Sequence, residues 1–174
     1  MNTNHQRQPL ISIVMGYYNR IHQTEITLDT ISKTNYTNFE VIIVDDASEP
    51  EHDLRKIIYN YNFPIKLIKI EKHQKTWKNP CVAYNIGLKV ARGEIIILQN
   101  PEVSHVGDVI SYVSENSKDG VYIAFSVFCS PSFLHNNILK NLIASDKNNI
   151  KENFVDCIDY KKYAFNYNFY KNNY

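Results

Sequence analysis

Four apolar runs recur along the chain, separated by polar segments of a dozen or more residues. "LISIVMGYY", "FEVIIVDDAS" and "GEIIILQN" are almost continuously apolar and rich in β-branched residues, which predicts strands covered on both faces. "PIKLIKI" alternates, and is expected to be a strand more exposed on one face. Between the runs the spacing changes. "TEITLDTISK" carries Ile26, Leu28 and Ile31 near helical spacing, with Thr24 as the candidate N-cap. "EPEHDLRKIIYNY" opens with acids and continues with Leu54, Ile57 and Ile58, which predicts a second helix. "NPCVAYNIGLKVA" predicts a third, capped by Asn79 with Pro80 at its first position. "SHVGDVISYVSEN" predicts a fourth with Ser104 as cap, and "GVYIAFSVFCS" a fifth strand. Strands alternating with helices imply right-handed βαβ units, hence an α/β fold with a mainly parallel sheet flanked by helices.

The ends read differently. Residues 1–8 are polar and expected to be a disordered tail, and residues 9–130 form the α/β domain. Residues 131–174 are dense in Asn, Lys, Tyr and Phe with weak periodicity, and read as a divergent extension packed on the same domain. In it, "NNILKNLIAS" suggests a short helix and "YAFNYNFYKNNY" an edge strand or a segment laid on the sheet.

Composition narrows the function classes. A chain of 174 residues suits one domain with a real core. A net charge of +1 gives no global field for nucleic acid or an anionic membrane. Cys81, Cys129 and Cys157 form no CxxC pair, which argues against a disulfide framework or a zinc site and for a reducing interior. "MNTNHQRQPL" is not a secretory signal, and no run is long enough to cross a bilayer. A cytoplasmic location is the expectation.

In parallel sheets ligands sit beyond the carboxyl ends of the strands. Those ends carry "GYYN", "DDAS" and "QNPE". Gly16 would let backbone approach a ligand, and Tyr17 or Tyr18 could stack on a planar ring; both tyrosines serving as packing residues is the alternative. Asp45 and Asp46 point to opposite sides, so one can accept from a ligand NH while the other holds loop amides, or both serve the turn. Asn100 and Glu102 offer two oxygen-bearing side chains one residue apart, suited to Mg²⁺ or Mn²⁺ with diphosphate oxygens completing the shell, or simply form a turn. Five glycines in the chain leave no GxGxxG, P-loop or GxSxG motif. Phosphates would be neutralised by a metal or by Lys72, Lys75 and Lys78.

Taken in order, "ISIVMGYYNR", "NFEVIIVDDAS" and "YNIGLKVARGEIIILQNPE" resemble the family 2 glycosyltransferases of GT-A fold, over about Leu10 to Cys129. The resemblance implies a Rossmann-like GT-A domain with a nucleotide-sugar donor, a UDP-sugar by expectation, and a divalent cation, Mn²⁺ or Mg²⁺. It places Gly16 and Tyr18 at the nucleotide base, Tyr18 by stacking, with Tyr17 and Asn19 in the same motif. Asp46, beside Asp45, would accept from the base NH. Asn79 stands near a basic position that contacts the nucleotide, and Tyr84–Asn85 stand at the family's "RN" pair without the arginine. Asn100 would face the ribose, and Glu102 would take the metal. "QNPE" is thus a variant of the DxD triplet. His105 follows closely as a site member, a cap or a solvated side chain.

The family's acceptor-binding half and catalytic aspartate lie further along, and the chain is expected to stop before them. Asp156 and Asp159 in "FVDCIDY" do not match that motif, so the catalytic base is unassigned. The resemblance implies an inverting transfer to a hydroxyl of a glycan or protein acceptor, with a homo-oligomer or partner chain supplying the acceptor half. A non-catalytic nucleotide-sugar-binding module is the alternative. A receiver-type signalling domain fits poorly, because no phosphoacceptor aspartate ends "PIKLIKI".

Overall fold

A computed structural model describes residues 7–125 and 127. Strands β1 (Ile11–Tyr17), β2 (Phe39–Asp45), β3 (Ile65–Lys69) and β4 (Ile95–Leu98) form one sheet in the order β3-β2-β1-β4. Every pairing is parallel. Helices α1 (Ile21–Ile31), α2 (Cys81–Val90) and α3 (Val109–Asn116) connect or follow them. Tyr17 is level with Asp45, and Val14 with Leu98, so three strands end at the same edge.

The strand period of two sorts the side chains. Ile11, Ile13, Met15 and Tyr17 of β1 join Val41 and Ile43 of β2 in the larger core, against Leu28 and Ile31 of α1 and Ile110 and Val113 of α3. Full burial of each aliphatic side chain contributes roughly 1.5–3 kcal/mol. On the other face Val44, Ile70 and Ala83 pack with Trp77 and Ile86. Helix α2 lies directly on that face, since a Cβ on Gly87 would come within 2.5 Å of Val14 Cγ1. At the opposite edge from the strand ends, the buried Glu40 carboxylate accepts from Ser12 Oγ (2.8 Å), the Arg92 amide (3.0 Å) and the Arg92 guanidinium (2.7 Å). Burial pushes the Glu40 carboxyl up, but these partners outweigh it and hold the group below its usual range.

Several expectations are corrected. "EPEHDLRKIIYNY" is not one helix but three short 3-10 turns, Pro50–His52, Leu54–Lys56 and Ile58–Asn60. Asp53 breaks it: its backbone is extended and its carboxylate accepts from the Arg55 amide, which offers the chain an alternative to a helix. Helix α1 begins three residues before Thr24, with Arg20 at the cap position, and Thr24 Oγ1 instead donates to the Arg20 carbonyl. Pro80 sits at the cap position of α2, one residue before the first helical residue. Asn79 keeps its capping chemistry, its Oδ1 accepting from the Cys81 amide at 2.9 Å. Asp108, not Ser104, caps α3 and accepts from the Ser111 amide. Residues 120–125 form no strand. The rest of the fifth-strand expectation, Cys129 and Cys157, Asp156 and Asp159, most of the N-terminal tail and the whole of 131–174 lie outside the described residues.

Candidate functional site at the carboxyl ends of the strands

The loops leaving β1 and β2 are tied together through Asn19. Its backbone is left-handed (φ 51°), a conformation asparagine tolerates better than most residues. From there its amide donates to Ser48 Oγ (3.0 Å) and its Oδ1 accepts from the Glu49 amide (2.8 Å). The Asp46 amide donates to the Tyr17 carbonyl at 2.8 Å. Asn19 is therefore a hinge-pin of the two loops rather than a free polar tip.

The two aspartates divide as their alternation predicts. Asp45 is buried; its Oδ1 accepts from the Ser48 amide (2.9 Å), while Oδ2 has no partner among the described residues. Burial raises its carboxyl above the usual range. Asp46 turns to the α2 side. Trp77 Nε1 donates to its Oδ1 (3.0 Å), Lys75 Nζ pairs with its Oδ2 (2.8 Å), and the same ammonium donates to its carbonyl (3.0 Å). Lys75 Nζ also stands 4.7 Å from the centre of the Tyr18 ring. Tyr18 is about half exposed (48%), as a stacking platform requires. Tyr17 is not: its ring is buried in the core and its hydroxyl donates to the His52 carbonyl at 2.6 Å, so of the two readings it takes the packing one and offers no ring face for stacking. Burial holds that phenol well above its ordinary range.

Gly16 serves a neighbour. A Cβ there would meet Tyr84 Cε2 at 3.2 Å, so the missing side chain admits the Tyr84 ring. The Tyr84 hydroxyl reaches Asn100 Oδ1 (2.8 Å) and the Gln99 carbonyl (3.1 Å), joining α2 to the loop after β4. Asn85, one residue on, is exposed, as are Asn79 and Asn100.

The "QNPE" loop is braced from below. Gln99 is buried; its Nε2 donates to the Val103 carbonyl (2.8 Å) and its Oε1 meets His105 Nε2 (2.7 Å). Burial pushes the His105 pKa down to about 4, so the ring is neutral near pH 7. Helix α1 supplies two buried threonines: Thr27 Oγ1 donates to the Pro101 carbonyl (2.9 Å) and Thr30 Oγ1 accepts from the His105 amide (3.0 Å). His105 is thus part of the brace.

Glu102 rises from this base and forms an ion pair with Arg20 (2.9 Å), whose side chain is 51% exposed against 32% for the carboxylate. No three His, Cys, Asp or Glu side chains cluster among the described residues. The donor set is therefore one carboxylate, with the Asn100 amide oxygen nearby in sequence. It does not suit a structural metal cage. It fits a hard cation that keeps its waters and takes the rest of its shell from a phosphate-bearing ligand.

Trp77, Arg20 and the α1 threonines Thr27 and Thr30 were not legible as site residues, and Lys75 and Tyr84 were named without the partners they have here. The threonine spacing at 24, 27 and 30, polar positions set into an apolar helix, is the one signal that could have marked a buried polar seam. Lys72 and Lys75, candidates for phosphate neutralisation, are instead paired with Glu49 (2.7 Å) and Asp46.

Comparison with known proteins agrees with this architecture. A match to Glycosyl transferase family 2 covers residues 12–165, reaching into the segment read as an extension. The uncharacterized glycosyltransferase YwdF of Bacillus subtilis is 38% identical over 88 residues, which is 51% of this chain and 31% of that protein. The poly(ribitol-phosphate) beta-N-acetylglucosaminyltransferase TarP of Staphylococcus aureus is 25% identical over 115 residues, 63% of this chain and 34% of that protein. This chain thus spans about a third of the length of both relatives. Among solved structures, mannosyltransferase PcManGT of Pyrobaculum calidifontis, in complex with GDP-Man and Mn²⁺, superposes with a TM-score of 0.52 at 23% identity, over 59% of this chain and 30% of that one. The shared fold is the GT-A arrangement of a mainly parallel sheet flanked by helices. The order of the strands, the loops they deliver and the family match lead to one assignment: this chain belongs to glycosyl transferase family 2.

Proposed function

We propose that this chain binds the donor of a nucleotide-sugar-dependent glycosyltransferase, a UDP-sugar, whose sugar is passed with inversion to a hydroxyl of a glycan or protein acceptor. The observation that carries the reading is the meeting of three loops at one sheet edge, delivering Tyr18, Asp46 and Glu102. Tyr18 stacks on the base and Asp46 accepts its NH. Asn100, oriented by Tyr84, faces the ribose. Glu102 would hold Mn²⁺ or Mg²⁺, and the chemistry that cation supplies when bound is charge neutralisation at the leaving diphosphate. Transfer further needs a base on the acceptor hydroxyl. No described residue is assigned that role, and a partner copy or further chain is the proposed source.

Trp77 is the single tryptophan of the sequence and touches Asp46, so its fluorescence reports the base site directly. UDP and UDP-sugars are titrated with and without Mn²⁺, and UDP release is then assayed. Binding with Mn²⁺ dependence and turnover supports the reading. Binding without any hydrolysis or transfer leaves a donor-binding module. Binding unchanged in both Asp46→Ala and Tyr18→Ala would sink the base-site assignment. An unaltered Mn²⁺ dependence in Glu102→Ala would sink the metal assignment.

A further inference from the structure

We propose that Arg20 is a second, protein-borne cation for the donor diphosphate, stored on Glu102 until a ligand arrives. The inference rests on the nucleotide-sugar reading above and adds a positioning residue to it. Arg20 stands at the N-terminal cap position of α1, directly after the loop that carries Tyr18 and Asn19. Its guanidinium reaches across to the loop after β4 and holds Glu102 Oε1 at 2.9 Å. Glu102 is the one carboxylate of the "QNPE" turn, and the guanidinium is its one ion-pair partner among the described residues.

A divalent cation drawn to Glu102 therefore meets a charge already neutralised. Two cations cannot share one carboxylate oxygen closely, because a divalent ion and a guanidinium at ion-pair distance repel strongly even near a protein surface. One of them yields. The guanidinium is the one free to move. It lies on a half-exposed side chain, and exposed pairs of this kind are weak. Once displaced it stays tethered at the start of α1, beside the stacking tyrosine. The strongest anion within its reach is then the diphosphate of a bound nucleotide, which a planar guanidinium grips in bidentate fashion. The pair explains how a site with a lone carboxylate can gather enough positive charge for a diphosphate. It also predicts opposite signs for its two members in metal-free buffer, which a plain surface brace would not show.

The test is calorimetric titration of the full chain with UDP, in EDTA and in Mn²⁺, for wild type, Arg20→Gln, Arg20→Lys and Glu102→Gln. In EDTA, Arg20→Gln is expected to bind UDP about tenfold more weakly, the loss of one charge-assisted contact. Arg20→Lys should fall between it and wild type. Glu102→Gln, which frees the guanidinium, should bind about threefold more tightly than wild type in EDTA. In addition, manganese paramagnetic resonance without nucleotide should show tighter Mn²⁺ uptake by Arg20→Gln than by wild type, because Glu102 is uncontested. Equal metal-free UDP affinity of wild type and Arg20→Gln overturns the proposal. So does an equal loss in Arg20→Gln and Glu102→Gln, which would mark the pair as a loop brace. If wild type binds no UDP in either buffer, the donor reading fails first and this one with it.

Discussion

Lys75 Nζ lies 2.8 Å from Asp46 Oδ2 and covers the ring of the neighbouring Tyr18 at 4.7 Å. The residue read as the acceptor of a base NH is thus already an ion pair, and the platform read as a stacking surface already carries a cation. A base stacking on the ring face that Lys75 covers would have to displace the ammonium. Lys75→Met is therefore expected to bind UDP a few-fold more tightly than wild type, followed by Trp77 fluorescence. A tenfold loss would mean that Lys75 contacts the nucleotide itself.

Tyr84→Phe keeps the ring that fills the space over Gly16 and removes the hydroxyl that holds Asn100. The fold should survive with a loss of about 1 kcal/mol, the ordinary value of one hydrogen bond. UDP binding should weaken more than uracil binding does, since Asn100 is read as a ribose contact. Equal affinity for UDP in the two proteins would remove Tyr84 and Asn100 from the donor site.

Glu40→Ala tests the opposite edge of the sheet. It strips Ser12 and Arg92 of their shared acceptor, at a cost of about 2 kcal/mol or more. Thermal unfolding should move down by several degrees. Nucleotide affinity at a temperature where the variant is folded should not change, because Glu40 stands at the start of its strand and the site at the end.

His105 predicts a pH dependence of stability. Burial lowers its pKa to about 4, below the ordinary 6.5, so the unfolded chain binds the proton more tightly. Its contribution is complete above about pH 6.5 and is lost as pH falls toward 4, by about 3 kcal/mol at most. Urea unfolding at pH 7 and pH 4.5, in wild type and His105→Gln, isolates it: the wild type should lose more stability than the variant over that interval.

Gly87→Ala should destabilise by about 1–3 kcal/mol, because the added methyl would stand 2.5 Å from Val14 Cγ1 and force α2 off the sheet. Circular dichroism melting measures it. An unchanged midpoint would mean that the helix shifts freely.

Strands β1 and β2 were legible because burial on both faces writes itself as long β-branched runs, and all four strands appear within a few residues of their expected ends. Strand β4, also read as covered on both faces, lies at the sheet edge with Ile96 and Leu98 exposed, which corrects that expectation. The family was legible because motifs at strand ends keep their order along the chain even where single residues change. What sequence could not supply was partnership. Tyr17 and Tyr18 are adjacent and identical in type, yet one is sealed in the core by strand parity and the other is left half exposed. Asp45 and Asp46 are both buried but turn to different partners, and only the fold brings Trp77 and Lys75, some thirty residues on, to Asp46. The pairing of Arg20 with Glu102 spans 82 positions and rests on a parallel sheet that sets β1 beside β4. Local spacing determines which elements form, because hydrogen bonding and side-chain period are local. Which charges meet is decided by strand order, because that order alone fixes which loops share an edge.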